Sequence, residues 1–385
     1  MSKFLSISAA LLLFGLPIHA DKVRISTPRT AMVFDISKGY EPQFLYYGPS
    51  ITEADMANLD RPNDENWSSA DLYPAYGTRH TMSETCLAIR HSDGNHATNL
   101  IVDDCKVTAI TDKAPNGKPR KGNLLTIRLK DSIYPVTVHL YYLAYNDVDM
   151  IESWTDITNA EKQTITLTQF YNPLLPVRRN DVYCTHFHGS WASEAQLYKQ
   201  KLQNGLLEIK DKDGLRNATA NRNEVMLSLD GPAKENFGDV IGAALCYSGN
   251  YRISIDTDDS DYHYYFAGIN PDNSEYHLRK GETFTTPRSA YTYSVSGTNG
   301  VSQTFHSWAR KYMLRHADQE RMILLNSWEG VYFDINHEGM DQMMRDIKSM
   351  GGELFVMDDG WFGEKYPRLT DNAGLGDWVV DRKKL

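Results

Sequence analysis

Glu353-Leu-Phe-Val-Met-Asp-Asp-Gly-Trp-Phe362 decides how this chain is read. Its apolar run, Leu354 to Met357, has the look of a buried strand, and it ends in two adjacent carboxylates, Asp358 and Asp359, then a glycine and two aromatic rings. A strand tip that offers charged acceptors beside flat apolar rings suits a polyhydroxylated ligand. Upstream, Met322-Ile-Leu-Leu-Asn326 is a second short apolar run, followed by Ser327-Trp-Glu329. Between the two runs, Glu338 to Met350 places Met340, Met343, Met344 and Ile347 on one helical face, and Gly351-Gly352 supplies the stop. Strand, helix, strand in this order predicts a βαβ unit with parallel strands. Ligands of such units sit beyond the C-terminal strand ends, so Trp328 and the two aspartates would face one volume.

Working outward, residues from about Val23 to Tyr293 alternate apolar and polar in strands such as Val136-Thr-Val-His-Leu-Tyr-Tyr142, Thr164-Ile-Thr-Leu-Thr-Gln-Phe170 and Tyr251-Arg-Ile-Ser-Ile255. Turn signals punctuate them at Pro115-Asn-Gly117, Asp213-Gly214 and Pro271-Asp-Asn273. This is the pattern of a large antiparallel β-sandwich. Val301 to His316 then puts Phe305, Trp308, Ala309 and Tyr312 at helical spacing. The expected organisation is a leader at 1–20, a sandwich at 21–300, a connecting helix at 301–320 and the first βα units of a (β/α)8 barrel at 321–385. A barrel needs about 250 residues, and 65 are available after residue 320. The chain is therefore read as mainly β, a sandwich followed by a truncated TIM barrel, because the edge of the Leu354 run would otherwise stay apolar and unpaired.

With 40 basic and 50 acidic residues the formal charge is −10 and neither sign forms a long run. Nucleic acid and an anionic membrane are thereby disfavoured as partners. Lys3, an apolar stretch from Ala9 to Pro17 and Ile18-His-Ala20 read as a secretory signal peptide, which makes the expected location periplasmic or extracellular. The four cysteines, Cys86, Cys105, Cys184 and Cys246, allow three disulfide pairings or buried free thiols. His186 and His188 share one face of a strand but have no third ligand at metal spacing, so they are read as strand-surface histidines. No metal and no cofactor are expected. Asp358 and Asp359 are not read as a catalytic pair. Two carboxyls must flank a scissile glycosidic bond about 5 Å or more apart, whereas successive side chains of an extended segment diverge.

The segments together resemble glycoside hydrolase family 36, the microbial α-galactosidases. The matching stretches are Leu45-Tyr-Tyr-Gly48, Tyr73-Pro-Ala-Tyr-Gly77, His188-Gly-Ser-Trp-Ala192, Tyr247-Ser-Gly-Asn250, Gly268-Ile-Asn-Pro271, Gly300-Val-Ser-Gln303, Asn326-Ser-Trp-Glu329, Leu354 to Gly363, and Leu375-Gly-Asp-Trp-Val379, in family order. The resemblance implies a sandwich followed by a catalytic (β/α)8 barrel, and a retaining enzyme that releases terminal α-galactosyl groups from oligosaccharides. It also implies that Asp358 and Asp359 bind galactose hydroxyls, that Trp328 walls the galactose pocket, and that Trp191 reaches it from the sandwich. Asp60, in Leu59-Asp-Arg-Pro62, is similar to an aspartate lent by a neighbouring subunit in tetramers. The family nucleophile, in a Lys-Trp-Asp segment, and its acid/base, after a Cys-Ser-Gly-Gly segment, have no match here. No residue of this chain is therefore assigned a catalytic role, and both are expected beyond Leu385, so the chain as it stands is expected to be inactive. The alternatives are a non-catalytic carbohydrate-binding protein on the same sandwich, or an α-N-acetylgalactosaminidase or galactosyl transferase of the same fold.

Overall fold

A computed structural model describes residues 22–60, 71–78, 82–216 and 220–385. The expected leader at 1–20 lies outside the described residues. The chain divides into two units, one ending at Arg315 and the other His316–Leu385.

The first unit is built from antiparallel sheets. Strands β1 (Lys22–Ser26), β2 (Thr30–Asp35) and β3 (Gln43–Pro49) form one of them, and a single-turn helix, α1 (Glu53–Ala57), follows. Next come β4 (Leu87–Arg90), the long hairpin of β5 (Leu100–Lys113) and β6 (Pro119–Asp131), then β7 (Val136–Tyr145), β8 (Ile151–Asn159), β9 (Ile165–Phe170) and β10 (Leu175–Arg178). Further strands are β11 (Tyr183–His188), β12 (Gln196–Lys201), β13 (Gly205–Lys210), β14 (Glu224–Ser228), β15 (Val240–Cys246) and β16 (Tyr251–Thr257). The last four are β17 (Tyr262–Ile269), β18 (Tyr276–Leu278), β19 (Thr283–Thr285) and β20 (Arg288–Ser294). The large sheet runs β12-β11-β14-β15-β20-β8-β7-β6-β5, with β19 on β8, and the smaller ones run β10-β17-β16-β13 and β18-β9-β4.

One continuous apolar core explains why these sheets stack. Phe34 of β2, Ile89 of β4, Ile127 of β6, Leu140 of β7, Leu167 of β9, Ile253 of β16 and Tyr291 of β20 are all buried in it. Alternation along each strand sends every second side chain inward, so the small sheets cover the inner face of the large one. None of the four cysteines is bridged; Cys86, Cys105 and Cys184 are buried thiols and Cys246 is exposed.

The connecting helix differs from the sequence expectation. It begins at Gly297, as α2 (Gly297–Trp308), and widens into a π turn over Ala309–Met313, where Leu314 N donates to Ala309 O. Residues after Met313 leave the helix because the Pro115-Asn116-Gly117 turn of the β5–β6 hairpin caps it. Asn116 N donates to Tyr312 O and Asn116 Nδ2 to Lys311 O, satisfying carbonyls that a helix end leaves open. Trp308 and Tyr312 are buried against Leu143, Tyr145 and Met150, so the helix belongs to the sandwich core.

His186 corrects a second expectation. It is buried at 4% exposure, because Tyr198 of β12 stacks over it and His188 meets it edge-on with centroids 4.7 Å apart. Burial first, and the neighbouring His188 second, bring its pKa down to about 4. Its buried Nδ1 has no hydrogen-bond partner. Between about pH 6.5, the ordinary histidine value, and about pH 4 the unfolded chain binds a proton that the folded one refuses. Stability contributed above pH 6.5 is therefore lost as the pH falls through this window. Urea unfolding midpoints measured from pH 7 to pH 4 should fall in the native chain and fall less steeply in His186→Phe, which keeps the ring and removes the titration.

Candidate functional site

In the second unit, β21 (Leu324–Asn326) and β22 (Leu354–Val356) pair in parallel, with Leu324 opposite Leu354 and Asn326 opposite Val356. The connection holds a short helix, α3 (Trp328–Val331), and α4 (His337–Ser349), which Asn336 caps by accepting from Gly339 N at 2.8 Å. The βαβ order is as the spacing predicts. The apolar runs are not buried, however. Leu324 and Leu354 are 48% and 39% exposed, and Met344, expected on the packed helix face, is exposed with them. Two strands supply little cover, and no third strand pairs with them among the described residues.

The strand ends are joined by side chains. Asn326 Nδ2 donates to Asp358 Oδ2 at 2.6 Å, and Asn326 Oδ1 accepts from Trp328 N at 2.8 Å. The fully buried Ser327 donates its N–H to Val356 O and accepts from Asp358 N through Oγ, each at 3.0 Å. Asp358 Oδ1 accepts from Asp359 N at 2.7 Å. Trp328 stands edge-on to Tyr332 and Phe333, with centroids 5.3 and 4.9 Å away. The structure thus brings Trp328, Asp358 and Asp359 to one end of the two-stranded sheet.

Asp359 is engaged by a residue that no periodicity or motif marks. Arg368 Nε and Nη2 donate to its Oδ1 and Oδ2 at 2.9 and 2.7 Å, and Gly360 N donates to Oδ1 at 2.7 Å. The guanidinium, chiefly, holds the Asp359 carboxyl below the ordinary aspartate range. Arg368 is only 5% exposed, lies 5.3 Å from the Phe333 ring centre, and sends Nη1 to the carbonyls of Thr370, Asp371 and Ala373. Lys384 Nζ closes the other side by donating to Phe333 O and Gly360 O. Asn326, Arg368 and Lys384 are the residues that sequence reasoning missed as members of the site. Only Asn326, inside the Asn326-Ser-Trp-Glu329 stretch, carried a signal that could have found it.

The remaining sequence candidates lie in the first unit. Trp191 stands at the tip of the β11–β12 connection, 85% exposed, on a loop whose Ala192 and Ala195 adopt left-handed backbone at φ 59° and 55°. Asp60 is exposed and lines a cleft of about 290 Å³ with Tyr46, Tyr47, Arg178, Arg179 and Tyr262. His186 and His188 gain no third histidine, cysteine or carboxylate of a metal-holding group among the described residues.

Residues 40–279 match the family model described as Glycosyl hydrolase family 36 N-terminal domain, and residues 283–385 match the one described as Melibiase. Alpha-galactosidase C of Emericella nidulans is 33% identical over 66% of this chain and 34% of its own length. Alpha-galactosidase AgaA of Geobacillus stearothermophilus is 32% identical over 88% of this chain and 47% of its own. The crystal structure of an AgaA variant in complex with raffinose superposes with a TM-score of 0.85 at 26% identity, over 94% of this chain and 53% of that one. The chain thus spans between about a third and a half of the length of these curated relatives.

The loop that carries Arg368 turns on Gly363, at φ +98°, where an added Cβ would stand 2.5 Å from Tyr366 O. Gly363→Ala should therefore strain the backbone by roughly 1–3 kcal/mol. Hydrogen exchange should show faster labelling across residues 363–374, with the sandwich strands unaffected.

Proposed function

Because the chain belongs to glycoside hydrolase family 36, we propose that it carries the galactose-binding wall of a retaining α-galactosidase that releases terminal α-galactosyl groups from oligosaccharides. The observation that carries this reading is the gathering of Trp328, Asp358 and Asp359 at the C-terminal ends of two parallel strands. Sugar hydroxyls are donors of modest strength in water, and ionised acceptors held by the protein make their hydrogen bonds shorter and stronger. An indole face beside those acceptors covers the apolar C–H side of a pyranose. The raffinose complex of AgaA supports the choice of α-galactoside oligosaccharides as the substrate class.

In this reading residues 321–385 are the opening βα units of a (β/α)8 barrel, whose strands would cover the exposed apolar runs of β21 and β22. Trp191 is assigned to sugar binding, and Asp60 serves the site of a neighbouring subunit in a tetramer. The protein acts outside the cytoplasm, delivered by the leader at 1–20. The reacting carboxylates are those of the Lys-Trp-Asp and Cys-Ser-Gly-Gly segments, neither of which occurs among these 385 residues. Retention through a covalent glycosyl intermediate requires both.

Calorimetric titration of the 385-residue protein with galactose tests the binding wall. Asp358→Asn should weaken binding by about tenfold or more, the size of one charge-assisted hydrogen bond, and Trp328→Ala by a similar factor. Equal affinity in native and Asp358→Asn protein would remove the basis of the reading. The same 385 residues should show no turnover of a chromogenic α-galactoside, whereas a chain that also carries the two missing segments should hydrolyse it.

A further inference from the structure

We propose that Arg368 is the positioning residue of this site: its guanidinium holds the Asp359 carboxylate in one orientation beside Asp358, so that the two aspartates act as a single acceptor set for one sugar ring. The inference rests on the galactose-binding reading and adds to it a residue outside the strand-end cluster.

The donor and acceptor inventory supports it. A carboxylate offers about four lone-pair positions, two on each oxygen. Asp359 Oδ1 already accepts from Arg368 Nε and Gly360 N, and Oδ2 accepts from Arg368 Nη2. That leaves one free position, on Oδ2. Asp358 accepts from Asp359 N on Oδ1 and from Asn326 Nδ2 on Oδ2, which leaves one position on each oxygen. A ligand hydroxyl therefore meets a small set of directed acceptors, and the direction of the Asp359 member is set by the planar fork of Arg368.

Arg368 is itself held by contacts on several sides. It is nearly buried, its Nη1 is shared among three carbonyls of the 370–373 turn, and the rings of Phe333 and Phe362 lie 5.3 and 5.7 Å from the guanidinium carbon. A buried guanidinium must keep its anionic partner, so the turn and the carboxylate order each other. Lysine cannot replace it, because an ammonium is a point charge without the two parallel donors.

The experiment uses the 385-residue protein labelled with ¹³C at the aspartate carboxyls, as native chain, Arg368→Lys and Arg368→Met. The Asp359 carboxyl signal and the galactose affinity are followed together against pH, with the amide spectrum of the sandwich strands as the control for folding. The Asp359 midpoint should rise in Arg368→Met and rise less in Arg368→Lys. Galactose affinity should fall about tenfold or more in both, the loss of one charged hydrogen bond or more. The pH at which binding disappears on acidification should move up in Arg368→Met together with the carboxyl midpoint, a shift that a merely structural role would not produce. An Asp359 midpoint blind to Arg368, or native galactose affinity in Arg368→Lys, overturns this inference. A native chain without galactose affinity overturns the function proposed above, while the Asp359 titration still decides whether Arg368 fixes the carboxylate.

Discussion

The bond from Asn326 Nδ2 to Asp358 Oδ2 joins the ends of two parallel strands, and what the second unit offers a ligand depends on it. Each of these strands is three residues long, so the backbone ladder between them is short. Left to the ladder alone, the residues after Asn326 and after Val356 would fray apart. Side chains replace the missing ladder: Asn326 bridges to Asp358, Ser327 binds the backbone of β22 and of Asp358, and the Asn326 side chain turns the chain into α3. Because Asn326 and Ser327 are spent on holding the strand ends, Trp328 is the first residue of its segment free to meet a ligand.

The sandwich obeys a different constraint, the need to satisfy charge inside a large apolar core. Glu152, 2% exposed, takes a hydrogen bond from Tyr145 and ion pairs from Arg120 and Arg288. The Arg288 guanidinium lies 3.8 Å from the Trp154 ring centre and Arg120 holds Asp112 with two donors. Such a network is costly to break, since a buried carboxylate without partners cannot remain charged cheaply. Tyr145 also packs on Tyr312, 4.8 Å between ring centres, so the same network seats the π turn that ends α2.

Much of this was legible from residues alone, and the reasons separate cleanly. Periodicity located α4 and both parallel strands within one or two residues, because an amphipathic helix between two apolar runs leaves few other pairings. Turn chemistry located the Pro115-Asn116-Gly117 hairpin, though not its second use as the cap of α2, which is a contact between segments almost 200 positions apart. The burial of His186 was hidden for a similar reason: alternation along β11 says which residues share a face, while β12 decides whether that face is covered. Arg368 was invisible because Lys365-Tyr-Pro-Arg368 has no period, and its role comes from glycine turns that fold the loop back onto Asp359.

The protonation preference of Asp359 bears on how the two aspartates divide the chemistry. A general acid working near neutrality needs a carboxyl whose pKa is raised, as happens when it is buried without a cation or set beside another carboxylate. Asp359 is partly buried beside Asp358, yet Arg368 first, and the Gly360 amide with it, outweigh that burial and hold it below the ordinary range. Its charge is fixed, and its two oxygens are largely committed. A group so constrained is suited to accepting hydrogen bonds from a neutral sugar and unsuited to passing protons. The geometric objection, that neighbouring side chains of a strand end cannot flank one glycosidic bond, and the electrostatic one therefore agree. Under the proposed function, both fit a recognition role for this edge, with bond cleavage left to other carboxylates.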